Sequence, residues 1–201
     1  NGIDYSDGGC KYNWTGGEGV GLGTAAYSLA AIEYLVYDKQ EITMDRLIEV
    51  LDNNWVGCED IRRKCLNAPK YGNDDDYADK WAVRMTRSFM DEYEKHGTAH
   101  GGTFVSGLFS MTTYVFIGNE TWASAEGRGA NEALSSGVDP TNLANLEGPT
   151  SLHKSITKID TWRNTNGMAF NCKFTTAAVA GEREINKWAD LVRTYFLLRG
   201  G

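Results

Sequence analysis

Hydrophobic positions in the first half of the chain recur at helical spacing. Ala25, Leu29, Ile32, Leu35 and Val36 share one face of a helix predicted over residues 24–38, directly after the glycine-rich turn Gly16-Gly17-Glu18-Gly19-Val20-Gly21. Thr43 can cap a second helix that runs to about Asn53 and buries Met44, Leu47, Ile48 and Leu51, with Asp45 placed against its dipole. A shorter third helix covers residues 58–66 and stops at Asn67 and Pro69. The fourth carries the strongest signal. Asn73 or Asp74 can cap it, and Tyr77, Trp81, Met85, Phe89 and Tyr93 then form one apolar stripe as far as His96. Such a stripe is read as core, and the glycines of residues 97–102 end it.

The pattern changes in the second half. Thr103-Phe104-Val105-Ser106-Gly107-Leu108-Phe109 and Thr112-Thr113-Tyr114-Val115-Phe116-Ile117 both read as strands. Residues 118–145 read as a long loop with several glycines and Pro140, of the kind that is functional or runs over a surface. A short helix follows over 151–159, a buried strand over 168–174 and a last helix over 182–198. Helices alternating with buried strands predict an α/β class. Neither an internal repeat nor a linker divides the chain.

Composition narrows the class of protein. Of 201 residues, 41% are apolar and 23% charged, which suits a packed core and excludes a disordered tail. No run of about 18 apolar residues is present, so no membrane-spanning helix is expected. A net charge of -7 argues against nucleic acid, whose phosphates need a cationic face. Cys10, Cys58, Cys65 and Cys172 are scattered and match no zinc spacing with His96, His100 or His153. They read as reduced thiols in or near a core, hence a cytoplasmic protein with no metal. Asn1 at one end and Arg199-Gly200-Gly201 at the other read as cuts inside a longer protein.

A self-contained active site is not visible. Neither Gly-x-Ser-x-Gly nor His-Glu-x-x-His occurs. Gly19-Val20-Gly21-Leu22-Gly23 departs from the dinucleotide fingerprint, so close backbone approach to a neighbouring element explains the glycines better than phosphate binding. Asp74, Asp75 and Asp76 point in different directions on a helix and suit capping better than a cation site.

Longer segments carry a resemblance. Asn67-Ala68-Pro69-Lys70-Tyr71-Gly72-Asn73-Asp74-Asp75-Asp76-Tyr77-Ala78-Asp79 resembles a stretch of the glycyl radical enzymes of the pyruvate formate-lyase type. Gly8-Gly9-Cys10-Lys11-Tyr12-Asn13-Trp14-Thr15-Gly16, the glycine turn with its following helix, Ser151-Leu152-His153-Lys154-Ser155 and Phe170-Asn171-Cys172-Lys173-Phe174 agree with the same family in order and approximate spacing. The chain departs from the family at Gly17-Glu18, where Pro-Gln is usual. It departs again at Ala125-Glu126-Gly127-Arg128 and Glu132-Ala133-Leu134, in place of Pro-Asp-Gly-Arg and Glu-Pro-Leu.

The resemblance implies that residues 1–201 are one partial domain, an internal fragment of a ten-stranded α/β barrel with its outer helices. It lacks the loop with the radical-carrying cysteine, in a Gly-Cys-x-Glu setting, and the C-terminal domain with the radical glycine. For the intact enzyme the resemblance implies a thiyl radical that cleaves C–O, C–N or C–C bonds of a small substrate, in the dehydratase and lyase branch or a formate acetyltransferase-like one. It also implies an iron–sulfur, S-adenosylmethionine-dependent activating enzyme as partner, and a homodimer. The fragment binds no cofactor directly, holds no catalytic residue and is expected to be inactive alone. A non-catalytic binding or scaffold module on the same fold is the alternative. Asn13, Trp14 and Thr15 are the expected substrate-pocket residues, because the family's chain approaches the cavity there. Asn171 and Lys173, two apart on the later strand, are further candidates.

Overall fold

The computed structural model describes residues 2–141 and 146–199. Residues 142–145, at the end of the predicted loop, and Asn1, Gly200 and Gly201, at the ends read as cuts, lie outside the described residues.

Three parallel strands form one sheet in the order β1 (Thr15–Glu18), β2 (Phe104–Leu108), β3 (Gly167–Met168). Thr15 pairs with Phe104 and Glu18 with Gly107 at one edge of β2, while Gly107 and Leu108 pair with Gly167 and Met168 at the other. Parallel pairing requires crossovers. The first crossover holds α1 (Leu22–Ile32), α2 (Met44–Asp52), α3 (Glu59–Asn67) and α4 (Asp76–Tyr93). The second holds α5 (Thr113–Asn119) and α6 (Pro149–Thr157), and α7 (Glu182–Leu197) closes the described chain.

Local chemistry explains most boundaries. Gly21, at φ +81°, starts α1, and the helix continues past Ile32 as a π-helical turn over Glu33–Asp38. Thr43 caps α2 as expected, accepting from the Arg46 amide at 3.2 Å. Asp75, rather than Asn73 or Asp74, caps α4 and accepts from the Tyr77 amide at 2.9 Å. Asp74 instead faces α6 and pairs with Lys154 and Lys158.

One cluster of buried residues joins α1, α4, β2 and α6 through Ala26, Tyr27, Ala82, Met90, Leu108 and Ile156. A second joins α2 and α3 through Leu47, Val50, Ile61 and Cys65. In α4 the deepest line is Ala78, Ala82, Thr86 and Met90, and the aromatic stripe from Tyr77 to Tyr93 is half-buried beside it. Small residues let α1 and α4 pack closely, and Ala26, Ala30 and Ala31 line the buried face of α1 in the same way. Buried Asp79 fastens α4 to α6, accepting from Ser155 Oγ at 2.8 Å and Lys158 Nζ at 2.7 Å. Burial lifts the Asp79 pKa, and these donors offset only part of that rise.

Three expectations are corrected. Residues 112–117 form most of α5 and not a strand: β-branched residues favour strands only where a neighbouring strand receives them, and Val115, Phe116 and Ile117 are exposed here. The strand over 168–174 shrinks to Gly167–Met168, because from Ala169 the chain bonds partly to the 137–139 loop: Val138 donates to Ala169 O and Asn171 to Asp139. β1 lies where only a glycine turn was read. No helix among the described residues is long and apolar enough to cross a membrane.

Candidate functional site

Two adjoining hollows of about 290 and 1030 Å³ share Met111, Ser136 and Asn171 and form one cleft. The cleft opens past the C-terminal ends of β2 and β3, where Phe109 and Met111 follow Leu108, and Ala169 and Asn171 follow Met168. Parallel sheets bind ligands at that end, because the connecting loops diverge there.

Its wall is the loop after α5, and this loop is firmly held. Buried Arg128 donates from Nε to Ser124 Oγ at 2.9 Å and from Nη1 to Glu132 O at 2.6 Å, and from Nη2 to Trp122 O. Trp55 Nε1 donates to Arg128 O at 2.9 Å. The Thr24 amide donates to Ser135 Oγ at 3.0 Å, and the Ser135 amide returns a bond to Thr24 Oγ1 at 2.9 Å. Tyr71 Oη donates to Val138 O, and Tyr27 Oη accepts from the Thr141 amide. The loop is therefore a fixed wall built on α1 and the segment before α4.

Titratable groups gather on this wall. Asp139 receives both the backbone and the side-chain N–H groups of Asn171 at 2.8 Å, which fixes the Asn171 amide at the cleft. Burial raises the Asp139 pKa, and the Asn171 bonds pull it partly back. Lys70 donates to Cys65 O at 2.7 Å. Burial lowers the Lys70 pKa to about 8 against the pull of Glu126, so this amine exchanges protons not far above neutral pH. Burial also pushes the Cys65 thiol up to about 11, which leaves it protonated. Among the described residues, no group of three or more His, Cys, Asp or Glu side chains could hold a metal ion.

The five residues expected from the sequence divide between two places. Asn171 and Lys173 both line the cleft. Asn13, Trp14 and Thr15 sit at the opposite, N-terminal end of the sheet, where Asn13 Nδ2 donates to Cys10 O at 3.1 Å and Trp14 stacks on Tyr12 at 5.9 Å. Trp14 is exposed, and the Thr15 amide donates to Thr103 O at 3.3 Å. Lys70, Glu126 and Asp139 were not singled out by sequence reasoning. Lys70 lies inside the most specific motif of the chain, and Glu126 stands where the resemblance places an aspartate, so the signal for both was local.

Three parallel strands joined by helical crossovers, with a loop-walled cleft at their C-terminal ends, fit a section of an α/β barrel. The pyruvate formate lyase-like family matches residues 1–118, and the glycine radical family matches residues 134–201. The chain belongs to the pyruvate formate lyase-like family of glycyl radical enzymes.

Its relatives agree. The chain is 38% identical over 200 residues to trans-4-hydroxy-L-proline dehydratase of Clostridioides difficile, covering 99% of this chain and 25% of that protein. It is 36% identical over 180 residues to isethionate sulfite-lyase of Bilophila wadsworthia, covering 89% of this chain and 22% of the relative. The solved B12-independent glycerol dehydratase of Clostridium butyricum superposes with a TM-score of 0.93 at 34% identity, covering 96% of this chain and 25% of that one. Substrate-bound hydroxyproline dehydratase of Clostridioides difficile gives a TM-score of 0.94 at 37% identity, covering 98% of this chain and 25% of that one. The chain thus spans about a quarter of the length of these relatives. The second family match starts at Leu134, inside the stretch that the sequence reading gave to the barrel.

Proposed function

We propose that the intact protein is a glycyl radical dehydratase or lyase acting on a small molecule. The chain would be its section between the cysteine loop and the radical glycine. The observation that supports this most is the cleft at the strand ends, in a chain whose relatives carry dehydratase and sulfite-lyase names. The radical glycine and its partner cysteine, both outside this chain, would supply hydrogen-atom abstraction. The residues in hand bind, orient and exclude water: Asn171, fixed by Asp139, and Lys173 face the cleft. Asn13, Trp14 and Thr15 would approach the substrate only through parts of the barrel that lie outside this chain. An iron–sulfur, S-adenosylmethionine-dependent activase, a homodimeric enzyme and a cytoplasmic setting belong to the same proposal.

The test has two stages. The reading frame on either side is expected to encode Gly-Cys-x-Glu upstream and Arg-Val-x-Gly downstream. The intact protein, activated without oxygen, is then expected to eliminate water or a larger leaving group from a small substrate, and to lose that activity when the glycine or the cysteine is replaced. A frame without either motif would overturn the proposal and leave a binding or scaffold module on the same fold.

A further inference from the structure

Asp139 stands between two anchored residues of the cleft wall. Tyr71 Oη donates to Val138 O at 3.1 Å, Tyr27 Oη accepts from the Thr141 amide at 3.2 Å, and the Asp139 amide donates to Ser136 O at 2.8 Å. From this fixed support the Asp139 carboxylate takes two bonds from one residue. The Asn171 backbone N–H reaches Oδ1 and the Asn171 side-chain Nδ2 reaches Oδ2, both at 2.8 Å. An ionised carboxylate only accepts, so it can hold the NH2 end of the Asn171 side chain and not the carbonyl end. The Asn171 carbonyl oxygen is thereby left without a partner among the described residues, and Asn171 is exposed and lines both hollows of the cleft.

We propose that Asp139 is a positioning residue that sets which end of the Asn171 amide the cleft meets: ionised, it presents the carbonyl as an acceptor for a donor group of the bound molecule; protonated, it lets the amide turn over and present the NH2 as a donor. The added proton goes to Asp139 Oδ2, which then donates to Asn171 Oδ1 after a half-turn of the amide, while Asp139 Oδ1 keeps the Asn171 backbone N–H. The last torsion of asparagine is roughly two-fold, so the half-turn changes polarity with little change of shape. Burial raises the Asp139 pKa and brings this exchange nearer to neutral pH. The titratable groups on which the Asp139 charge acts are Tyr71 and Cys172. Burial keeps both protonated, pushing Cys172 up to about 11 and Tyr71 well above its usual value, so neither changes charge where Asp139 does. Arg62, Lys70, Glu126, Arg128, Glu132 and Lys173 share the hollow, and among the described residues none of them bonds or pairs with Asp139. The role rests on reading the cleft as a small-molecule site and does not depend on radical chemistry.

Saturation-transfer NMR on the intact, unactivated protein tests it with two neutral probes of nearly the same shape. Acetamide donates and accepts, whereas acetone only accepts. At neutral pH the parent is expected to bind acetamide about fivefold more tightly than acetone, as one hydrogen bond implies. In Asp139→Asn the Asn171 backbone N–H claims the one acceptor oxygen, so the new NH2 faces the Asn171 side chain and turns its amide over. The preference for acetamide is therefore expected to vanish in that variant, and to vanish in the parent as pH falls through the Asp139 pKa. Asn171→Ala should lack the preference too, and adding Asp139→Asn to it should change nothing, whereas an Asp139 charge acting directly would still shift the ratio there. Should Asp139→Asn fail to fold, the pH series on the parent decides the matter. Equal binding of the two probes by the parent, a preference unmoved by Asp139→Asn or by pH, or a preference kept in Asn171→Ala would each overturn the role and leave the cleft reading standing. Binding of neither probe by the parent would overturn both.

Discussion

At Lys70 the cost of burying an ammonium translates into a pH dependence with a definite sign. Its pKa falls from 10.5 to about 8 on folding, so between those values the unfolded chain holds one more proton than the folded chain. The Lys70 contribution to stability therefore rises with pH across that window, is fully present above 10.5, and is lost as pH falls through about 8. The whole effect is on the order of 1–3 kcal/mol. Denaturation of the intact protein and of Lys70→Met at several pH values should show their difference in stability changing by that amount between pH 8 and 10.5. A difference that stays flat across the window would show that the amine is solvated. Asp79, in contrast, meets Lys158 and Ser155 directly, and these donors offset part of its burial within the fold.

Among the elements, β1 is the one whose sequence hides it most. Thr15-Gly16-Gly17-Glu18 has no alternation and only Thr15 for β-branched bulk, because the ring of Tyr93 occupies the space above Gly17 where a side chain would stand. That ring is itself held between Phe89, at 4.5 Å, and Phe104, at 6.0 Å. Gly17→Val should therefore destabilise the intact protein by about 1–3 kcal/mol, as overpacking does. Adding Tyr93→Ala should recover part of that loss, read as a non-additive pair in denaturation. A Gly17→Val variant as stable as the parent would contradict the packing. Elements whose stability is coded locally were legible: Thr43 announced α2 by its cap, and the run from Asp76 to Tyr93 announced α4. Those decided by neighbours were not. Val115, Phe116 and Ile117 have strand chemistry but no strand to pair with, and the 168–174 run bonds partly to a loop. The site divides the same way. Asn171 and Lys173, candidates through the Phe170-Asn171-Cys172-Lys173-Phe174 segment, line the cleft, whereas the contact of Glu126 with Ser28 arises only when α1 and the loop wall are brought together.

For the whole molecule, the sheet leaves β1 and β3 at its margins, and large apolar side chains such as Phe116, Trp188, Phe196 and Leu197 stand exposed. Open strand edges and uncovered apolar faces suit a section of a larger closed barrel. They also agree with a chain that spans about a quarter of its relatives. The central claim is that this section belongs to an enzyme that stores an unpaired electron on a backbone glycine. Electron paramagnetic resonance of the intact protein, incubated without oxygen with its activase, reductant and S-adenosylmethionine, tests that claim most directly. The account predicts an organic radical signal whose hyperfine splitting collapses when the protein is made with α-deuterated glycine, and which is absent once the glycine of the downstream Arg-Val-x-Gly motif is replaced by alanine. Turnover of a small substrate by the intact protein with no such signal would contradict it.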